Sequence, residues 1–242
     1  MLLHQVCHML ARQAGYRHYA PNGGDVTVAL RDIVDQPERW LTQTGCFGPL
    51  RIFVPVPQME DTRILVHLRD PRDVLVSMFY SYCYAHGGEV EGGQGVRREV
   101  ADRGIDDFVL QMATAEQAPV SGDYGTGSGL WDLAGNVRRR YEDYLSNLHG
   151  QPNSVFVRYE DMISDPTGWL SSVVGAFGDV GADQTEKIIE WLVLNLRVDG
   201  EDRWAHKRQV IAGDHKNKLR PETICRLNET FGDVLDRLGY GA

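Results

Sequence analysis

Along the first sixteen residues Leu3, Val6, Cys7, Leu10 and Ala14 recur at the spacing of one helix face, and Gly15 is placed to end that helix. No capping residue precedes it. Two apolar runs, RIFVPV from Arg51 and RILVHLRD from Arg63, read as short buried strands. The second leads into Asp70-Pro71, an N-cap followed by proline at the first helical position, which predicts a helix from Pro71 to about Tyr84. Residues 86–95, HGGEVEGGQG, are too glycine-rich to pack and read as a loop. Ile105, Phe108, Val109 and Met112 predict a short helix, and APVSGDYGTGSG after it a second flexible connection. Leu133, Val137, Tyr141, Tyr144, Leu145 and Leu148 predict a long amphipathic helix with a basic face at Arg138 to Arg140. SVFVRYED is a third strand. Asp165-Pro166 opens a helix that buries Leu170, Val173, Val174 and Phe177, and another carries Ile188, Ile189 and Leu192. The last helix runs from Pro221 to a stop at Gly239 with Ile224, Leu227, Phe231, Leu235 and Leu238 inward. Strands alternating with helices imply an α/β fold, a parallel sheet flanked by helices on both faces.

Composition narrows the class. A chain of 242 residues, 42% hydrophobic and 24% charged, fits one globular domain spanning residues 1–242 and excludes disordered, collagenous or disulfide-scaffold proteins. Cys7, Cys46, Cys83 and Cys225 lie far apart without CxxC spacing, so neither a zinc site nor a disulfide framework is expected. His4, Gln5, His8 and Arg12 interrupt the opening segment too often for a secretory signal. No apolar run approaches the roughly 18 residues of a membrane span, and a cytoplasmic location follows as the expectation. The net charge of −9 argues against nucleic acid as a partner. One stretch opposes that trend: between residues 203 and 220, six Lys and Arg stand against Asp214 alone, which points to a small anionic ligand.

In an open parallel sheet, ligands bind beyond the carboxyl ends of strands, where helix N-termini present free N–H groups. Arg69 closes a predicted strand there, and Ser77 lies seven residues after Asp70 on the same helix face, so the two can grip a phosphate. The competing reading pairs Arg69 with Asp73 or Asp70. Tyr159 ends another strand and is placed either to stack on a flat base or to pack in the core. In HKRQVIAGDHKNKL, residues 206–219, Gly213-Asp214 marks a turn among basic residues, which fits anion binding as well as a solvated face. His206 and His215 lack any metal-ligand spacing, so no metal is expected. No GxSxG, GxGxxG or GxxxxGK[ST] motif occurs.

These three segments, in this order, resemble the sulfotransferase family that uses 3′-phosphoadenylyl sulfate (PAPS). RILVHLRDPRDVLVSMFYS is similar to its 3′-phosphate motif and maps Arg69 and Ser77 to that phosphate. VFVRYEDMISDP is similar to its Tyr-Glu-Asp segment, which puts Tyr159 by the adenine. RQVIAGDHKNKLRPE resembles its late loop, which closes over the nucleotide and supplies a further 3′-phosphate arginine, here Arg208, with Gly213 kept at the turn. The resemblance implies a P-loop NTPase-like sulfotransferase fold and transfer of a sulfuryl group from PAPS to a hydroxyl or amine, on a small-molecule or glycan acceptor, without a metal.

The chain also departs from the family. Gln209, Val210 and His215 stand where lysine, glycine and tryptophan are usual. Family members begin with a strand and a Lys-Ser-Gly-Thr-Thr type loop that cradles the 5′-phosphosulfate, whereas this sequence starts in the helix expected after that loop, so the chain as written is expected to transfer sulfate poorly. The family's Lys-Thr-His segment is not recognisable; GPLRIFVPVP occupies that region and makes Arg51 a candidate acceptor-site residue. His86 in the glycine-rich loop is the candidate general base, and His67, inside a strand, reads as core. Two rival readings are a non-catalytic nucleotide-binding member and an ATP-dependent phosphotransferase, the latter short of a Walker lysine and a magnesium carboxylate pair. Acceptor identity and oligomeric state are not encoded in any recognisable motif.

Overall fold

The computed structural model describes residues 2–21, 23–85, 93–116, 133–178, 180–198, 200–205 and 207–241. They gather into two compact units, Met1–Leu68 with Leu148–Arg197 and Arg69–Asn147 with Val198–Ala242. Among the described residues no helix is long and apolar enough to cross a membrane.

The first unit opens with helix α1 (Leu2–Gln13), which buries Val6, Cys7, Leu10 and Ala11 as its spacing predicts. Strands β1 (His18–Ala20), β2 (Val26–Thr27) and β3 (Cys46–Phe47) form a small parallel sheet in the order β2-β1-β3, with helices α2 (Leu30–Asp35) and α3 (Pro37–Trp40) in between. The run RIFVPV, read as a strand, forms none. Pro55 lies within it and Pro49 and Pro57 flank it, and a residue without an N–H cannot donate to a ladder; β3 falls earlier, at Cys46–Phe47.

Strand β4 (Ile64–Leu68) pairs in parallel with a strand named β5 below, in register from Ile64 opposite Ser154 to Leu68 opposite Arg158. The parallel pairing expected from the sequence is therefore present, divided between two sheets.

The second unit begins where β4 hands over to Arg69. Asp70 caps α4 (Pro71–Tyr80), its carboxylate accepting from the Arg72 N–H at 2.9 Å. The Arg72 side chain is buried and donates to Asp70 Oδ2 at 2.7 Å, Asn228 Oδ1 at 2.6 Å and the Gly241 carbonyl at 2.8 Å. The helix expected to reach Tyr84 passes after Tyr80 into a π-helical turn, Ser81–Ala85. Helix α5 (Gly93–Arg103) starts inside the segment read as a loop, and α6 (Ile105–Thr114) packs on α4, with Phe79 and Phe108 meeting edge to face at 5.5 Å. Helix α7 (Val137–Leu148) buries Val137, Tyr141, Leu145 and Leu148. Its expected basic face is incomplete, because Arg140 turns inward and donates to the Gly135 carbonyl at 2.8 Å.

Returning to the first unit, β5 (Ser154–Arg158) leads directly into α8 (Tyr159–Ser164), and α9 (Pro166–Val174) is capped by Asp165, which accepts from the Gly168 N–H at 2.9 Å. With α10 (Ala182–Leu196) these helices close a core of Val6, Leu10, Met162, Leu170, Val173 and Leu192. In the second unit, α11 (His215–Lys218) precedes α12 (Pro221–Leu238), which buries Leu227, Phe231, Val234 and Leu235 and ends where Gly239 takes φ +69°.

Candidate functional site

The second unit brings two of the three singled-out segments together. Arg69 Nη2 donates to the Ile211 carbonyl at 3.1 Å and lies 3.6 Å from Asp73 Oδ2. Asp73, whose side chain is fully buried one turn into α4, accepts from the Gly213 N–H at 2.7 Å, the His215 N–H at 2.9 Å and His215 Nδ1 at 2.6 Å. One carboxylate thus fastens the 211–215 turn to the start of α4. Burial pushes the Asp73 carboxyl up, but hydrogen bonds from His215 and the charge of Arg69 outweigh it and hold the group below the usual carboxylate range. A carboxylate only accepts, so His215 Nδ1 is the donor of that pair. Gly213 takes φ +75°, which the turn needs and a side chain rarely adopts.

Of the two partners considered for Arg69, the structure selects Asp73, since Asp70 is occupied by Arg72. The Arg69 side chain keeps 18% of its surface exposed, and Ser77 is exposed two turns along α4. Tyr141 Oη donates to the Arg69 carbonyl at 2.6 Å, anchoring the backbone where the chain leaves the strand.

Arg208, which the resemblance gives to the 3′-phosphate, is engaged within the protein. It is buried, its guanidinium pairs with Glu201 and Asp214, and it lies 4.1 Å above the Tyr80 ring. The surrounding segment, read as a loop, includes the short helix α11, and its charges are largely matched: Lys218 Nζ donates to Glu201 at 2.7 Å and Arg220 lies 3.2 Å from Asp106. The hydrogen bond to Glu201 raises the Lys218 pKa and, from the other side, lowers that of Glu201.

Tyr159 opens α8 in the first unit, half-buried, its ring 6.3 Å from that of His67. Arg51 is exposed in the first unit, outside any strand. His86 lies outside the described residues. His67 Nε2 is shut off from solvent without a hydrogen-bond partner among the described residues, and burial lowers its pKa to about 4. Among the described residues no group of three or more His, Cys, Asp and Glu is disposed to hold a metal ion.

Sequence reasoning did not single out Tyr80, Tyr84 or Glu201, and it took Arg203 and Lys218 only as members of the cationic stretch. Together they line a cleft of about 200 Å³ in the second unit. The i, i+4 spacing of Tyr80 and Tyr84 was the available signal, obscured because Tyr84 falls in the π-helical turn.

Comparison with known proteins bears on the family and the fold. The sequence profile of the sulfotransferase domain matches residues 49–239. A mouse sulfotransferase, SULT7A1, solved in complex with PAP, is 16% identical over 95% of this chain and 79% of its own, with a TM-score of 0.58. Retinol dehydratase, solved in complex with androsterone and the inactive cofactor PAP, is 15% identical over 97% of this chain and 76% of its own, with a TM-score of 0.53. At such identities the likeness establishes a shared fold. No curated protein sequence matches the chain.

Proposed function

This chain belongs to the sulfotransferase domain family, and from that premise we propose that it takes PAPS as donor and transfers its sulfuryl group to a hydroxyl or amine of a small-molecule or glycan acceptor. The observation that carries the reading is the junction of Arg69 with the 211–215 turn through Ile211 and Asp73. Two family motifs separated by some 140 residues of sequence meet there around one partly exposed guanidinium. A planar fork of this kind suits a bidentate hold on a phosphate.

The residues present fit the donor's 3′-phosphate half. Arg69, at the entry to α4 and partly exposed, and Ser77, exposed two turns along it, would hold that phosphate. Arg208 joins them only by exchanging a carboxylate partner for the phosphate, because Glu201 and Asp214 now occupy its guanidinium. Tyr159 enters as the adenine-stacking residue on the resemblance of its segment, and Gly213 as the pivot of the late turn. In the transfer, a bond forms between the acceptor oxygen or nitrogen and sulfur while the bond from sulfur to the 5′-phosphate oxygen breaks. The electron pair leaves on the phosphate and the acceptor's proton passes to water. The protein's share is positioning, with cationic stabilisation of the charge that gathers on transferring and leaving oxygens.

Calorimetry on the full chain tests the donor assignment. Adenosine 3′,5′-bisphosphate is expected to bind more tightly than ADP or AMP. Loss of one charged hydrogen-bond partner costs about 1.5–3 kcal/mol, so Arg69→Ala is expected to weaken that binding roughly ten- to a hundredfold. Equal affinity for the three nucleotides, or an Arg69→Ala variant that binds like the parent, would refute it. Binding of the bisphosphate without sulfate transfer to any phenol, sugar or amine would make the chain a nucleotide-binding member.

A further inference from the structure

The cleft formed by Tyr80, Tyr84, Glu201, Arg203 and Lys218 has a chemical character of its own. The two tyrosine rings lie 5.8 Å apart. The Arg203 guanidinium sits 5.6 Å from the Tyr84 ring, and Trp204, 66% exposed, meets that same ring edge-on at 5.3 Å. Every lining residue is a phenol, a carboxylate or a cation. Glu201 is already shared between Lys218 and Arg208, and Asp214 takes the other side of Arg208. Arg203 pairs with no carboxylate among the described residues. Among the described residues the cleft therefore holds a surplus positive charge, and Arg203 carries it.

We propose that this cleft, beside the Arg208 that the preceding subsection gives to the 3′-phosphate, is a binding site for a hydroxylated anion of single-ring size, of the hexuronate type. Its volume of about 200 Å³ is below the about 300–1,000 Å³ of pockets for drug-sized ligands, which suits an occupant of about one ring. A steroid alcohol would strip water from Arg203, Glu201 and Lys218 and return only its hydroxyl, a cost that disfavours it. A sugar acid returns them all. Its hydroxyls replace water on Glu201 and the two phenols, its carboxylate matches the guanidinium fork of Arg203, and the exposed indole of Trp204 offers a flat apolar surface to the ring's C–H face.

Saturation-transfer NMR and calorimetry on the full chain, with glucuronate, glucose and a steroid alcohol as probes, test this. Glucuronate is expected to bind at least about tenfold more tightly than glucose. Arg203→Ala should abolish that margin and Arg203→Lys should keep part of it. Arg226→Ala, which removes an exposed cation on α12, should leave it intact. Because Arg203 is itself exposed, its replacement leaves the fold in place, and a circular dichroism spectrum identical to the parent's verifies that. Equal binding of the two sugars, an unaltered margin in Arg203→Ala, preference for the steroid, or displacement of glucuronate by adenosine 3′,5′-bisphosphate would each overturn the assignment. Titration of the bisphosphate alone separates the two readings. If the nucleotide fails to bind while the uronate preference holds, the donor assignment falls and the cleft keeps its ligand; the reverse result removes the cleft assignment only.

Discussion

Asp73 is the residue on which the candidate site is built. Its carboxylate meets two backbone N–H groups and an imidazole inside the protein, and Arg69 stands beside it. Asparagine at this position keeps the shape but removes the charge and presents an amide where only acceptors are wanted. Breaking a buried charged pair from one side costs about 3–5 kcal/mol, so Asp73→Asn is expected to lower the free energy of unfolding in urea by that order. It should also weaken bisphosphate binding, since the turn that receives the Arg69 guanidinium loses its anchor. A loss below about 1 kcal/mol would mean that the turn is held by other contacts. Arg69 and Asp73 were recognisable in the sequence as an i, i+4 pair. His215, 142 residues further on, was recognisable only as a departure from the family's tryptophan.

At the level of elements, the 207–219 segment combines a turn at Gly213 with the one-turn helix α11. A helix this short has little stability of its own, and its order comes from Asp73 and from the ion pairs of Arg208. Such a segment sits at the low end of local stability and is expected to gain order with a ligand. Hydrogen exchange across residues 207–219 should slow when adenosine 3′,5′-bisphosphate is added, and unchanged exchange there alongside protection elsewhere would count against closure over the nucleotide. Gly213→Ala isolates the backbone contribution. Nothing obstructs an added Cβ within 4 Å, so the change acts through φ +75° alone and is expected to cost about 1–2 kcal/mol, a melting shift of a few degrees. A variant melting with the parent would show that the turn has relaxed to a different conformation.

For the whole molecule, His4, His18 and His67 of the first unit, all with lowered pKa values, couple stability to pH. His18 is fully buried, and its Nε2 faces the Gly48 carbonyl at 2.7 Å, so that nitrogen carries the proton. With His18 neutral, its Nδ1 accepts from His8 Nδ1, 3.2 Å away. Asp25 accepts from the His18 backbone N–H, and the His4 ring lies 4.9 Å from that of His18. Burial, the largest cause, lowers the His18 pKa, and it lowers that of His67 from 6.5 to about 4. A depressed histidine binds fewer protons folded than unfolded, so stability is complete well above pH 6.5 and falls as pH drops below it, levelling near pH 4 for His67. Urea titrations from pH 8 to 4 should show this decline. His67→Leu removes a polar atom left without a partner and should be more stabilising at pH 4.5 than at pH 8. Equal effects at both pH values would show that His67 does not titrate in this window.

Local chemistry in the sequence was enough for the elements bounded by a fixed backbone rule. Asp70-Pro71 and Asp165-Pro166 opened α4 and α9, Gly239 closed α12, and apolar spacing placed α1 and the strand preceding Arg69. Motif order was enough for the family, because a strand, a charged corner and a helix are read within a dozen residues. Tertiary structure decided what each charge does. Arg208 and Lys218 look like free cations in sequence, but Glu201 and Asp214 neutralise them in the fold. Arg140 leaves its basic face for the Gly135 carbonyl, and RIFVPV is apolar enough for a strand yet has Pro55 where a ladder needs a donor. Periodicity reports which side of an element turns inward, whereas a charge's partner depends on distances across the chain. For that reason Arg203, a minor member of a basic run in sequence, emerges as the cation left over in the cleft.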